Sequence, residues 1–88
     1  MPVLDRAWDL DPQVSVRPEP FGALLYHFGT RRLSFLKDRR LLAVVQGLGE
    51  APTARAACAG AGIGPDELPT YERALARLAD TDMLRERP

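Results

Sequence analysis

Residues 14–36, VSVRPEPFGALLYHFGTRRLSFL, constrain the fold more than any other stretch of this chain. Leu24, Tyr26 and Phe28 alternate with Ala23, Leu25 and His27, and Leu33 and Phe35 alternate with Arg32 and Ser34. Strict alternation places one set on each face of a β-sheet. Gly29-Thr30 suits a two-residue hairpin turn with glycine at its first central position. Such a turn pairs Phe28 with Arg31, Tyr26 with Leu33 and Leu24 with Phe35. The large apolar residues of both strands then share one face, and a one-residue slip would scatter them. Val14 and Val16 extend that face if the first strand pairs Val16 with Leu24. This set is expected to include a buried Phe35, whose truncation to alanine would cost about 3–5 kcal/mol. His27, on the opposite face, is expected as a solvated or rim residue turned away from the rest of the fold.

Between the first two strands, Pro18-Glu19-Pro20-Phe21-Gly22 is a stiff link, because proline removes backbone donors and fixes φ. Past Leu36 the period changes. Leu41, Leu42, Val44, Val45 and Leu48 follow the i, i+3, i+4, i+7 pattern of a helix, with Asp38 at its start and Gly47 or Gly49 at its end. Thr53 suits the N-cap of a second, short, alanine-rich helix ended by Gly60, Gly62 and Gly64. A third helix spans about 68–81, with Leu68, Tyr71, Leu75 and Leu78 on one face. Strands are expected near 13–18, 22–28 and 31–36, and helices near 38–48, 53–60 and 68–81. The predicted class is α+β, a three-stranded antiparallel sheet followed by three helices, each layer needing the other to bury its apolar face. Residues 1–12 are expected as an arm anchored by Trp8 and Leu10, and 13–88 as one domain. Met83 and Leu84 are expected to fold back on the core, leaving a polar tail.

Composition narrows the chemistry. The 88 residues carry 12 Lys plus Arg and 12 Asp plus Glu, for zero net charge. Non-specific nucleic-acid binding draws on phosphate neutralisation, so this balance argues against it. One cysteine excludes an intrachain disulfide, and one histidine beside it leaves no recognisable metal-ligand set. No apolar run approaches the ~20 residues of a membrane span. The N-terminal MPVLDRAWDLDP is acidic where a signal peptide would be basic and then apolar, so a cytoplasmic protein is expected.

Catalysis finds little support. His27 and Cys58 have no oriented partners in the sequence, and Cys58 among alanines reads as a small buried hydrophobe. Asp66-Glu67 at a helix start is explained by the macrodipole. Gly60, Gly62 and Gly64 lack the Lys-Ser/Thr of a phosphate loop. Binding is better supported. In a meander the third strand has one partner, and its other edge presents unpaired backbone groups, a template for an added strand. Arg31, Arg32 and Lys37 read either as protection of that edge or as its flanks. Backbone pairing would dominate such a contact, so only a modest salt dependence is expected.

Strands before a helical trio resemble the small winged-helix domains that recognise precursor peptides in ribosomal peptide modification, of which the pyrroloquinoline quinone biosynthesis chaperone is the familiar member. More closely, VSVRPEPFGALLYHFGTRRLSFL, with LLAVV after it and LPTYERALARL near the end, resembles the mycofactocin biosynthesis chaperone family, a PqqD-like precursor-peptide recognition element. The resemblance runs from about residue 8 to residue 87, and RPEPFGALLY is its most specific piece. It implies a winged-helix-like fold and a non-enzymatic role without a cofactor. The protein would bind the leader of the precursor peptide and present it to a radical S-adenosylmethionine maturase, which carries the iron–sulfur clusters. It further implies that the leader adds as a strand along Arg31, Arg32, Leu33, Ser34, Phe35 and Leu36, against Tyr71, Ala74, Leu75 and Leu78. Arg17, Glu19, Pro20 and Phe21 belong to the family motif and are candidates for contact with the enzyme. The alternative is a winged-helix DNA-binding regulator that offers Arg73 and Arg77 to the duplex. A small enzyme using His27 or Cys58 is a third reading. The peptide reading expects neither nucleic acid nor membrane as partner.

Overall fold

A computed structural model describes residues 2–87. A 3-10 turn at Val3–Asp5 leads into β1 (Trp8–Leu10), followed by β2 (Val14–Glu19), β3 (Gly22–His27) and β4 (Leu33–Leu36). Then come α1 (Arg39–Gly47), a second 3-10 turn at Leu48–Glu50, α2 (Ala54–Gly60), α3 (Leu68–Asp80) and β5 (Leu84–Glu86). β2, β3 and β4 form an antiparallel meander, and β1 pairs with β5 in a separate two-stranded ribbon. The α+β order of three strands and three helices is thus the one expected, and every helix begins and ends within a residue or two of its predicted limits. The sequence patterns do not signal the ribbon. Val3 and Leu4 are buried in the core, and the Trp8 indole N–H donates to the Val3 carbonyl at 2.9 Å.

The β3–β4 register is the predicted one, with Tyr26 opposite Leu33 and Leu24 opposite Phe35. The turn that joins them differs. Arg31, at φ 61°, donates its N–H to the His27 carbonyl at 2.7 Å, and the His27 N–H goes to the Arg32 carbonyl at 3.0 Å. Phe28 therefore does not pair with Arg31; its N–H goes to the Gln13 carbonyl at 2.9 Å. The β2 register also differs from expectation, with Val16 opposite Leu25 rather than Leu24. The two-residue link Pro20-Phe21 closes on the pair Glu19–Gly22 and dictates that alignment. Val14 and Val16 consequently share a face with Leu25 and His27.

That face is the covered one, the reverse of the expectation for Phe35 and His27. Ala23, Leu25 and His27 are buried, whereas Phe28, Leu33 and Phe35 are exposed, Phe35 by 57%. Alternation decides which residues share a face and leaves open which face is covered. Here α1 packs on β3, and small residues at the start of β3 admit the close approach. Truncating Phe35 therefore removes surface contact rather than core packing. His27, 5% exposed, is accommodated because its ring is satisfied. Nδ1 accepts the N–H groups of Gly29 and Thr30, each at 3.0 Å, which assigns the proton of the neutral ring to Nε2, 3.6 Å from Asp11 Oδ1. The histidine thus holds the hairpin turn in place of the glycine geometry predicted for it.

Gly22 is where sheet and helix meet. At φ 151°, its missing Cβ would lie 2.0 Å from the Leu36 carbonyl oxygen and 2.9 Å from the Asp38 nitrogen. Asp38 caps α1 by accepting the Arg40 N–H at 2.8 Å, and its other oxygen accepts the Tyr71 hydroxyl of α3. Arg40 lies over the Tyr71 ring, 5.7 Å from its centroid, and makes a two-bond fork with Glu67 at 2.7 and 3.0 Å. Burial alone would raise the Asp38 carboxyl. The Tyr71 hydroxyl, the Arg40 N–H and the Arg40 charge outweigh it and hold the group below its usual value. Burial and the hydrogen bond to Asp38 push Tyr71 up to about 12, so its hydroxyl remains a donor. Beneath this network lies one core, in which Leu25, Leu36, Val44, Val45, Leu48, Leu75 and Met83 are fully buried.

Two predictions follow from these contacts. Gly22→Ala should lower stability by roughly 3 kcal/mol or more, through backbone strain and overlap with Leu36. Gly47→Ala, where the added carbon meets nothing within 4 Å, should be neutral or mildly stabilising. Urea midpoints that did not separate the two would contradict the Gly22 contact. Because the folded Asp38 carboxyl is depressed, its charge adds stability above the unfolded value of 3.8 and loses it as pH falls through the folded one. The stability gap between wild type and Asp38→Asn, measured by urea unfolding, should be open near neutrality and close below pH 3.8.

Candidate peptide groove

β4 is an edge strand, and the alternation of its ladder shows which groups face outward. The bond from the His27 N–H to Arg32 makes that pair a hydrogen-bonded one. Along the same antiparallel register, Leu25–Ser34 and Ala23–Leu36 are then also hydrogen-bonded, while Tyr26–Leu33 and Leu24–Phe35 are not. The backbone N–H and C=O groups of Leu33 and Phe35 therefore point away from the sheet, free for a guest strand. β2 is the other edge of the meander. The bond from Phe28 to Gln13 sets the phase there, so that Pro18 turns its nitrogen outward. Proline offers no donor, which blunts that edge. β4 has no such protection.

Facing the open edge of β4 is α3. Two adjoining clefts, of about 390 and 280 Å³, run between them and share Phe35, Lys37, Leu41, Ala74 and Arg77. Leu33, Ser34, Leu36, Leu78 and Thr81 complete the first, and Asp38, Thr70 and Tyr71 the second. Of the residues expected at the site, Leu33 to Leu36, Tyr71, Ala74 and Leu78 meet here. Leu75 lies fully buried behind the groove and presents no surface. Arg31 and Arg32 stand exposed at the hairpin end of β4, outside both clefts. Arg17, Glu19, Pro20 and Phe21 line neither cleft and sit at the β2–β3 link. Arg17 and Glu19 form an ion pair at 3.0 Å, the Pro20 carbonyl accepts from Arg39 Nε at 3.1 Å, and Phe21 is exposed.

Sequence reasoning missed Leu41 and the polar flank of α3. Thr70, Ala74, Arg77 and Thr81 recur at spacings of four, three and four, a second helical stripe beside that of the leucines. The leucine stripe marked the core, and the neighbouring stripe of short side chains with one arginine marks the groove wall. A larger cleft of about 500 Å³ lies between β1 and the end of α1. Its Asp9 faces Arg87 at 3.5 Å, and none of the site residues expected from the sequence lines it.

The remaining chemical candidates are placed plainly. Cys58 is buried, and that burial pushes its thiol up, against thiolate chemistry. His27 is committed to the hairpin turn. Among the described residues no group of three or more His, Cys, Asp or Glu could hold a metal ion, and no helix is long and apolar enough to cross a membrane.

Comparison with known proteins shows the family. The sequence model of the Peptide chaperone MftB family matches residues 7–85. Proteins named Peptide chaperone MftB are 61% identical over 80 residues in Mycobacterium tuberculosis, strain ATCC 25618 / H37Rv, and 59% identical over 80 residues in Mycobacterium ulcerans, strain Agy99. Each alignment covers 91% of this chain and 73% of the relative. A third, from Mycolicibacterium smegmatis, is 54% identical over 80 residues, covering 91% of this chain and 78% of the relative. No solved structure matches. These relatives are named as peptide chaperones, a non-catalytic role. With nearly its whole length matched and more than half its residues shared, the chain belongs to the Peptide chaperone MftB family.

Proposed function

We propose that this protein is a cytoplasmic peptide chaperone of mycofactocin biosynthesis, which binds the leader of the precursor peptide and delivers it to a radical S-adenosylmethionine maturase. The observation that carries the reading is the unprotected outer edge of β4, backed by a groove against α3. An extended segment can place its backbone on Leu33 and Phe35 and drop alternate side chains toward Ala74 and Leu78. The name of the relatives supplies the class of ligand. The chaperone contributes binding and orientation, and the redox chemistry belongs to the enzyme. Arg17, Glu19, Pro20 and Phe21, grouped at the β2–β3 link and lining neither cleft, are proposed to meet the enzyme.

Proline scanning of β4 tests the mechanism. Phe35→Pro removes a donor aimed at the guest while sparing the ladder to β3. It should weaken leader binding by roughly five- to tenfold relative to Phe35→Ala, the value of about one hydrogen bond. Ser34→Pro removes a donor to β3 and should instead destabilise the sheet. Leader titration of the folded protein, followed by amide shifts, should move β4 and α3. Shifts confined to residues 1–20 would rule the mechanism out.

A further inference from the structure

The cations of this molecule are unevenly satisfied. Arg6, Arg17, Arg40, Arg55 and Arg87 each face a carboxylate in an ion pair. Seven cations have no ion-pair partner among the described residues, and four of them, Arg31, Arg32, Lys37 and Arg77, border the β4 edge or its groove, the other three being Arg39, Arg73 and Arg85. Arg31 and Arg32 stand at the hairpin end of β4, Lys37 at its other end, and Arg77 projects from the opposite wall. The one carboxylate lining the groove is Asp38, already occupied by the Tyr71 hydroxyl and the Arg40 N–H. The floor between these charges is apolar, formed by Phe35, Leu41 and Ala74. At about 3.3 Å per residue, the five steps from Arg32 to Lys37 separate the two cationic ends by roughly 16–17 Å.

Resting on the reading of β4 as the peptide edge, we propose that the groove selects an acidic peptide: an extended segment with a short apolar centre and carboxylates bracketing it. The apolar centre seats on Phe35, Leu41 and Ala74. The carboxylates meet Arg31 and Arg32 at one end, and Lys37 and Arg77 at the other. This departs from the expectation of only modest salt dependence, which rested on backbone pairing dominating the contact, by adding charged flanks to that pairing. A duplex is disfavoured as occupant because half of this lining is apolar and the edge offers backbone partners that phosphates do not use.

The test compares two synthetic peptides on the full chain: one with valines and leucines at its centre and glutamates at both ends, the other with glutamine for every glutamate. The acidic peptide should bind roughly tenfold more tightly at low salt, the sum of several modest exposed ion pairs. Its advantage should shrink as ionic strength rises past ~0.15 M, where charges are screened beyond about 8 Å. It should also shrink in the surface variants Arg77→Gln and Lys37→Gln. Equal affinity of the two peptides, with β4 and α3 amides shifting in both, would overturn the charge selection and leave strand addition standing. Silence of β4 and α3 toward both peptides would overturn strand addition and the selection with it. Tighter binding of duplex DNA at these residues would overturn the peptide as occupant.

Discussion

The backbone of Gly22 lies so close to Leu36 and Asp38 that no side chain fits between them, and the rest of the molecule is referred to that contact. It joins the start of β3 to the end of β4 and to the first turn of α1. Asp38 then carries the constraint onward, because the carboxyl that caps α1 also receives the hydroxyl of Tyr71 on α3. The distance between β4 and α3, and therefore the width of the groove, is set by a glycine and a carboxylate rather than by the groove's own lining. Burial and hydrogen bonding cooperate here. The low-dielectric surroundings that keep Tyr71 protonated make its bond to Asp38 stronger than the same bond in water.

Much of this arrangement is legible in the amino-acid sequence, and the limits of legibility have physical causes. The pairing of Tyr26 with Leu33 and Leu24 with Phe35 follows from parity, which survives a change of turn geometry. The helix limits follow from the switch in period and from the caps at Asp38 and Thr53, both of which accept backbone N–H groups as expected. The covered face does not follow. A sheet with apolar residues on both sides is symmetric to pattern reading, and the decision falls to the helices, which need small residues where they approach most closely. The outer face keeps its aromatic residues in view, with Tyr26 and Phe28 packed edge to face at 5.1 Å.

The candidate site divides in the same way. Its strand half is readable, since an edge without proline is visible in the letters Leu33 to Leu36, and β2 declares its own edge blunted by Pro18. Its helix half is readable only in part. Tyr71, Leu75 and Leu78 form one apolar stripe, yet the stripe does not say which members reach the surface. Leu75 sits behind the wall, and Arg77 with Thr70 and Thr81 stands in front of it. His27 shows a related ambiguity. A lone histidine carries no pattern of its own, and only the fold reveals that its ring ties the turn between β3 and β4.

The β1–β5 ribbon, which pairs Trp8 with Glu86, has a consequence for how the molecule is made. Its two strands are the first and last among the described residues, whereas each pair in the meander closes over a short local turn. Loop-closure entropy disfavours such a distant pairing until intervening residues are ordered. On the ribosome, Trp8 and Leu10 emerge well before Leu84 to Glu86, with the meander and all three helices between them. Until then a partner strand for β1 is missing, and Arg87, which donates to the carbonyls of Leu48, Gly49 and Ala51, has yet to arrive. The nascent chain can therefore fold its meander first, and the pairing of Trp8 with Glu86 follows it.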